Sequence, residues 1–144
     1  YVKPGMSAID VGTGTGILAI CASKLGAGEC RAYDIDPMAV RVANENIRES
    51  GLEDKITCDQ SDLLKQVKNI AGGYDIICAN IVADIIIRLA PDVGTFIRKD
   101  GLFIASGIID EREADVDAAL KKYGLEKLAA KHEKGWCAVL FKKP

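Results

Sequence analysis

The sequence has one histidine, His132, and no C-x-x-C pair among its five cysteines. The motifs from which common structural metal sites are built are therefore missing, and the expected metal complement is none. Cys21, Cys30, Cys58, Cys78 and Cys137 are scattered, four of them inside apolar runs. They read as buried thiols of a reducing compartment. An excess of positive charge is also lacking. Lys and Arg number 19 against 21 Asp and Glu, leaving −2 at pH 7, so the basic footprint of a dedicated nucleic-acid binder is not there. The chain shows no signal peptide and no 18-residue apolar run, which argues against secretion and membrane spanning and for a cytoplasmic protein. No repeat, low-complexity run or linker interrupts the 144 residues. One domain, 1–144, is expected, with a composition that is 49% apolar and 28% charged. The chain opens at Tyr1 with the first strand close behind, and so reads as a piece of a longer protein.

What is present alternates between two periods. Apolar runs at residues 7–11, 29–35, 55–59, 74–82 and 101–109 predict five strands. Helical spacing fills the gaps between them. The run "ILAICASKLG" ends on Gly26. In "DPMAVRVANENIRESG", Asp36 is a good N-cap, Pro37 fits the first helical position and Gly51 is the stop. "ADIIIRLA" and "PDVGTFIRK" predict a helix broken before Pro91. "DEREADVDAALKKYG" predicts a helix opened by a capping box of Asp110 and Glu113. The tail, "LEKLAAKHE" and "WCAVLFKK" around "KG", predicts an antiparallel hairpin, with Trp136 packed in the core. Strands alternating with helices imply a parallel, doubly wound α/β sheet covered on both faces, with the hairpin added at the end.

The stretch "DVGTGTG" (Asp10 to Gly16) lies between the first strand and the first helix. In sheets of this kind ligands bind beyond the carboxyl ends of the strands. A glycine loop there lets backbone approach a ligand, and the next helix offers free N–H groups. The alternate glycines favour a nucleotide-like ligand over a bare turn. A dinucleotide fingerprint reads G-x-G-x-x-G, whereas this loop reads G-x-G-x-G, with Ile17 where the last glycine belongs. Asp10 would repel a pyrophosphate and attract a cation. S-adenosylmethionine, with an ammonium, a sulfonium and no phosphate, suits the loop better than NAD.

Asp34 lies 18 residues beyond Gly16, about where such sheets place an acid that binds a ribose diol. Asp36 is explained as a helix cap. In "QSDLL", Asp62 is a candidate acceptor for an adenine amino group and Leu63 for packing on the ring, against the reading of a solvated loop. Asn80 ends the strongest strand, either as an acceptor for a substrate N–H or as a helix cap. His132 reads as a surface residue. The tail lysines read as a solvated face, with contact to RNA as the sharper alternative.

Taken together, "DVGTGTGILAI", "YDIDPMAVRVANENI", "DIICANIVADIIIRLAPDV", "GLFIASGII" and "WCAVLFKK" resemble the catalytic domain of ribosomal protein methyltransferases of the PrmA type over nearly the whole chain. The "ANIVADII" segment and the tail narrow the likeness within the wider S-adenosylmethionine-dependent class. The resemblance implies a Rossmann-like seven-stranded sheet with a terminal antiparallel hairpin. It implies N-methylation of lysine amino groups on a large-subunit ribosomal protein. The candidate cofactor-binding residues are Asp10, Gly12, Thr13, Gly14, Gly16, Asp34, Ile35, Asp62, Leu63 and Asn80. The resemblance places Asp10, Gly12 and Gly14 at the methionine end, Asp34 at the ribose, Asp62 and Leu63 at the adenine, and Asn80 beside the transferred methyl as the catalytic residue. Many amino-group methyltransferases carry N-P-P-Y here. This chain has Asn80-Ile81-Val82-Ala83, which lacks the aromatic stack for a planar base and suits a flexible amine. Such enzymes also carry a separate N-terminal domain that docks the ribosomal protein, and this sequence does not include it. A methyltransferase of the same fold acting on nucleic acid or a small molecule, and an NAD-binding domain, are the competing readings.

Overall fold

β1, Ser7–Val11, is a short run buried along almost its whole length. A parallel strand covered on both faces has no solvent side, so alternation is lost and a continuous apolar run replaces it. The computed structural model describes residues 1–144, which pack as two compact units, Tyr1–Lys68 and Asn69–Pro144. The strands form a seven-stranded mixed sheet, mostly parallel with an antiparallel end formed by the last strands and with accompanying helices. That is the α/β sheet with a terminal hairpin that the alternation predicts, and the Rossmann-like architecture that the resemblance implies.

In the first unit, β1 is followed by α1 (Ile17–Lys24), β2 (Glu29–Asp34), α2 (Pro37–Glu49) and β3 (Ile56–Gln60). The strand order is β3-β2-β1, all parallel. The register pairs Asp10 with Ala32 and Asp34 with Gln60, which puts the three carboxyl ends on one edge. The start of α2 follows the sequence signal. Asp36 is the N-cap, its Oδ1 accepting the Met38 N–H at 2.9 Å, with Pro37 at the first helical position. Ala43 and Ile47 form its buried stripe.

The second unit runs β4 (Tyr74–Asn80), α3 (Ala83–Phe96), β5 (Ile97–Ile109), a 3-10 turn (Asp110–Arg112), α4 (Glu113–Lys122), β6 (Glu126–Glu133) and β7 (Trp136–Lys142). β4 and β5 are parallel, while β5/β7 and β6/β7 are antiparallel. Ile76, Ile77, Ile86, Leu89 and Val93 are fully buried, and Phe103 faces Phe141 across the strands with ring centroids 6.3 Å apart.

Five sequence expectations need correction. α3 continues through Pro91 as one helix. The proline forfeits one helical hydrogen bond, but Leu89, Ala90 and Val93 are buried around it, so packing outweighs the local break. The Lys143 ammonium donates to Gly94 O at 2.7 Å and Ile97 O at 3.0 Å at the helix end. β5 begins at Ile97 rather than at residue 101. Gly101, expected as the strand's first residue, lies inside it, preceded by Asp100 at φ 63° and with a register shift opposite Tyr74 to Ile76. The capping box of Asp110 and Glu113 does not form. Arg112 is the N-cap, and Glu113 instead meets Lys127 and His132. Trp136 is 54% exposed at the start of β7 instead of in the core. Cys21 is exposed, while Cys30, Cys58 and Cys137 are buried as expected.

Candidate functional site

The glycine loop of the first unit is held from below by β2. The N–H groups of Gly12 and Thr13 both donate to Tyr33 O, at 2.8 and 2.9 Å, and Gly16 N–H closes a turn on Thr13 O at 3.0 Å. Gly14 has φ 57° and nothing within 4 Å of the position a Cβ would take. A left-handed conformation together with open space is what a loop needs to lay backbone against a ligand. At Gly16 a Cβ would stand 3.3 Å from Ala43 Cβ, so this glycine instead seats the loop against α2.

Two carboxylates frame the loop. Asp34 Oδ2 accepts the Gly14 N–H at 2.9 Å and Oδ1 accepts the Asp36 N–H at 3.0 Å. Each oxygen has two lone pairs, so backbone fixes this carboxylate and leaves acceptor capacity for a diol. Asp10 is buried at 3% exposure. Its Oδ2 accepts the Thr13 hydroxyl at 2.7 Å, while Oδ1 is buried with no hydrogen-bond partner. Burial pushes its pKa up from 3.8 to about 6. The Thr13 hydroxyl and the Ala19 N–H pull the other way, and the Asp34 charge adds to the rise. A buried, unpaired acceptor is costly, and a cationic or donor group nearby would relieve it. These residues fit a ligand with a cationic end and a ribose, as S-adenosylmethionine has.

The third strand end completes this edge. Asp34 O accepts the Ser61 N–H at 2.9 Å, which ties the loop after β3 to β2. Ser61 is buried, its hydroxyl 2.8 Å from Leu63 O, and Gln66 Oε1 accepts the Asp62 N–H at 2.7 Å. Leu63 takes φ 54°, a strained setting for a side chain of its size and one that concentrates at ligand sites. Asp62 pairs with Lys65 at 2.6 Å, and Ile35 is 61% exposed at the end of β2. Asp10, Gly12, Thr13, Gly14, Gly16, Asp34, Ile35, Asp62 and Leu63 therefore all lie along the carboxyl edge of one three-stranded unit. Sequence reading missed Ser61, Gln66 and the Tyr33 carbonyl. Ser61 and Gln66 bracket "DLLK" as ordinary loop residues, and a carbonyl carries no sequence signal.

In the second unit, Asn80 is the last residue of β4, exposed and in register with Ser106. It does not cap α3, whose N-cap is Val82 with no side-chain hydrogen bond. Ile81 N–H donates to Ser106 O at 3.1 Å. Gly107 has φ 76°, and a Cβ there would stand 2.8 Å from Asn80 Oδ1. The Asn80 amide therefore occupies space that only a glycine at position 107 leaves open.

A family model described as ribosomal protein L11 methyltransferase (PrmA) matches residues 1–144. A ribosomal protein L11 methyltransferase from Caldanaerobacter subterraneus subsp. tengcongensis is 49% identical over 142 residues, covering 99% of this chain and 44% of that protein. The chain thus spans less than half the length of this relative. Among solved structures, a ribosomal protein L11 methylase from Lactobacillus delbrueckii subsp. bulgaricus superimposes with a TM-score of 0.92 at 33% identity, covering 99% of this chain and 71% of that one. An RNA methyltransferase from Salinibacter ruber in complex with S-adenosyl-L-homocysteine shares the fold at a TM-score of 0.79 and 17% identity, over 99% of this chain and 84% of that one.

Proposed function

Because the chain belongs to the ribosomal protein L11 methyltransferase (PrmA) family, we propose that it is the methyl-transferring domain of an enzyme that N-methylates lysine amino groups on ribosomal protein L11. The methyl donor is S-adenosylmethionine, which supplies an electrophilic methyl group on a sulfonium when bound. The observation that carries the reading is the Gly14 N–H bonded to Asp34 Oδ2 at 2.9 Å. This bond couples the glycine loop to the acid that would read a ribose. Asp34 accepts from the ribose hydroxyls, Asp10 supplies negative charge toward the methionine end, and Ile35, Asp62 and Leu63 hold the adenine. Gly12, Thr13 and Gly16 keep the loop in the conformation that exposes Gly14.

Asn80 is the catalytic residue of this reading. A lysine amine has a pKa near 10.4 in water and must lose a proton before its lone pair can attack. Desolvation favours the neutral amine, and the Asn80 Oδ1 accepts from its N–H groups and so orients it. The protein's contribution is placement and exclusion of water, since the reactive group belongs to the cofactor. Recognition of L11 rests on further sequence of the kind the longer relatives carry. The work is done in the cytoplasm, and contact with ribosomal RNA is incidental.

The test is methyl transfer by the full-length protein to purified ribosomal protein L11, read by intact mass and by the site of the added mass after digestion. Mass increments on lysine side chains are expected. Modification of RNA but not of L11, or of L11 at groups other than amines, would overturn the reading.

A further inference from the structure

Asp110, His132 and Cys137 come from three elements of the second unit, and their donor atoms lie within 4.8 Å of one another. His132 and Cys137 are direct partners across β6 and β7, so their side chains share one face of the sheet. Asp110 follows β5, and its N–H donates to Gly135 O at 3.1 Å in the β6–β7 turn, which draws it to the same place. We propose that these three residues form a binding site for a borderline divalent cation of the zinc class.

The donor set selects the ion. One imidazole, one thiol and one carboxylate suit Zn2+ or Co2+ and are poor partners for Mg2+ or Ca2+. The ligand geometry is close to what such ions take. Bond lengths of about 2.3 Å to sulfur and 2.0 Å to nitrogen put tetrahedral donors about 3.5 Å apart, so an inward shift of about an ångström closes the site. Asp110 and His132 are both exposed and have room for that shift.

The histidine is already oriented. Its Nε2 lies 2.6 Å from Glu113 Oε2, leaving Nδ1 for the ion. A carboxylate behind a ligating imidazole is the usual outer support of a metal-bound histidine. Glu113 is itself held by Lys127, and Lys127 by Asp117 at 2.6 Å. Asp110 and His132 are both exposed, so solvent reaches the three donors and water can take the fourth position. On ligation the Cys137 S–H bond breaks, an S–metal bond forms and the proton goes to solvent. The ion would tie the end of β5 to the β6–β7 hairpin. No sequence motif announces it, because the three residues meet only through strand pairing.

Cobalt serves as the probe. The reduced chain, titrated anaerobically with Co2+, is expected to develop a thiolate-to-metal charge-transfer absorption that saturates at one equivalent and is displaced by Zn2+. Cys137→Ala abolishes the band, His132→Gln and Asp110→Asn each weaken Co2+ affinity at least tenfold, and Glu113→Gln weakens it by about 10- to 100-fold. Zn2+ raises Tm by about 5 °C or more in the unaltered chain and not in His132→Gln. Absence of the band, its survival in Cys137→Ala, or unchanged Co2+ affinity in His132→Gln overturns the proposal. If Cys137→Ala loses its circular-dichroism signature of folding, the two variants at exposed positions decide the matter alone.

Discussion

Asp34 receives two backbone N–H groups, from Gly14 and Asp36, before any ligand arrives. Asp34→Ala removes both acceptors and the acceptor proposed for a ribose diol. Hydrogen bonds to a charged group are worth about 1.5–3 kcal/mol each, so S-adenosylhomocysteine affinity by calorimetry should fall about 10- to 100-fold. Unchanged affinity would remove Asp34 from the cofactor site. Gly107 tests Asn80 in the same way without touching it. A methyl group at Gly107 would stand 2.8 Å from Asn80 Oδ1 and 3.1 Å from Ile81 O, so the amide must turn away. In the full-length enzyme, Gly107→Ala should lower kcat for methyl transfer about 10- to 100-fold and leave S-adenosylhomocysteine affinity within about twofold. A variant with normal kcat would show that the Asn80 orientation is irrelevant to transfer. Asp10, Asp34 and Asn80 were legible as residues because polar groups at or next to the ends of apolar strands are conspicuous. The Gly107 constraint was not, since it arises between two strands and concerns space rather than type.

Elements divide into those set by local signals and those set by packing. α2 is of the first kind, since Asp36, Pro37 and Gly51 mark both ends in the sequence and the structure uses them. Asp36→Ala deletes the acceptor for the Met38 N–H and should cost about 1 kcal/mol, seen as a lower urea midpoint at unchanged slope. Asp36→Ser should recover most of that loss. No change in midpoint would mean that tertiary contacts alone hold the helix start. α3 and β5 are of the second kind. Pro91 and Asp100-Gly101 are strong local breakers; the first is overruled by burial of Leu89, Ala90 and Val93, the second by backbone hydrogen bonds from Asp100 N–H to Lys143 O and from Lys143 N–H to Gly101 O. The opening of α4 shows the same competition, as Glu113 leaves a local cap for Lys127 and His132 on β6.

At the scale of the whole molecule, a buried carboxylate makes folding depend on pH. Asp10 titrates near 6 in the folded chain against 3.8 ordinarily, so the folded state holds its proton more tightly than the unfolded state. Its stabilising contribution is complete below about pH 4 and is lost as pH rises through about 6, a change of about 3 kcal/mol. Urea unfolding across this range should therefore show the difference in stability between Asp10→Asn and the unaltered chain growing in favour of the variant as pH rises. A pH-independent difference would mean that Asp10 is not held near neutrality by burial. A cationic ligand beside Asp10 stabilises its ionised form, so S-adenosylhomocysteine affinity should weaken below about pH 6 in the unaltered chain and not in Asp10→Asn.

The sequence by itself determined the alternating α/β plan, the glycine loop between β1 and α1, the acid ending β2 and the asparagine ending β4. Each rests on periodicity, on turn chemistry or on a polar residue closing an apolar run, and those are properties of neighbours along the chain. Only the tertiary structure decided that Tyr33 O anchors the loop, that Asp10 is buried with a spare oxygen, that Leu63 is held left-handed, and that Asp110, His132 and Cys137 meet. Those features depend on hydrogen bonds and burial between segments distant in sequence, which strand register and packing create and local order does not encode.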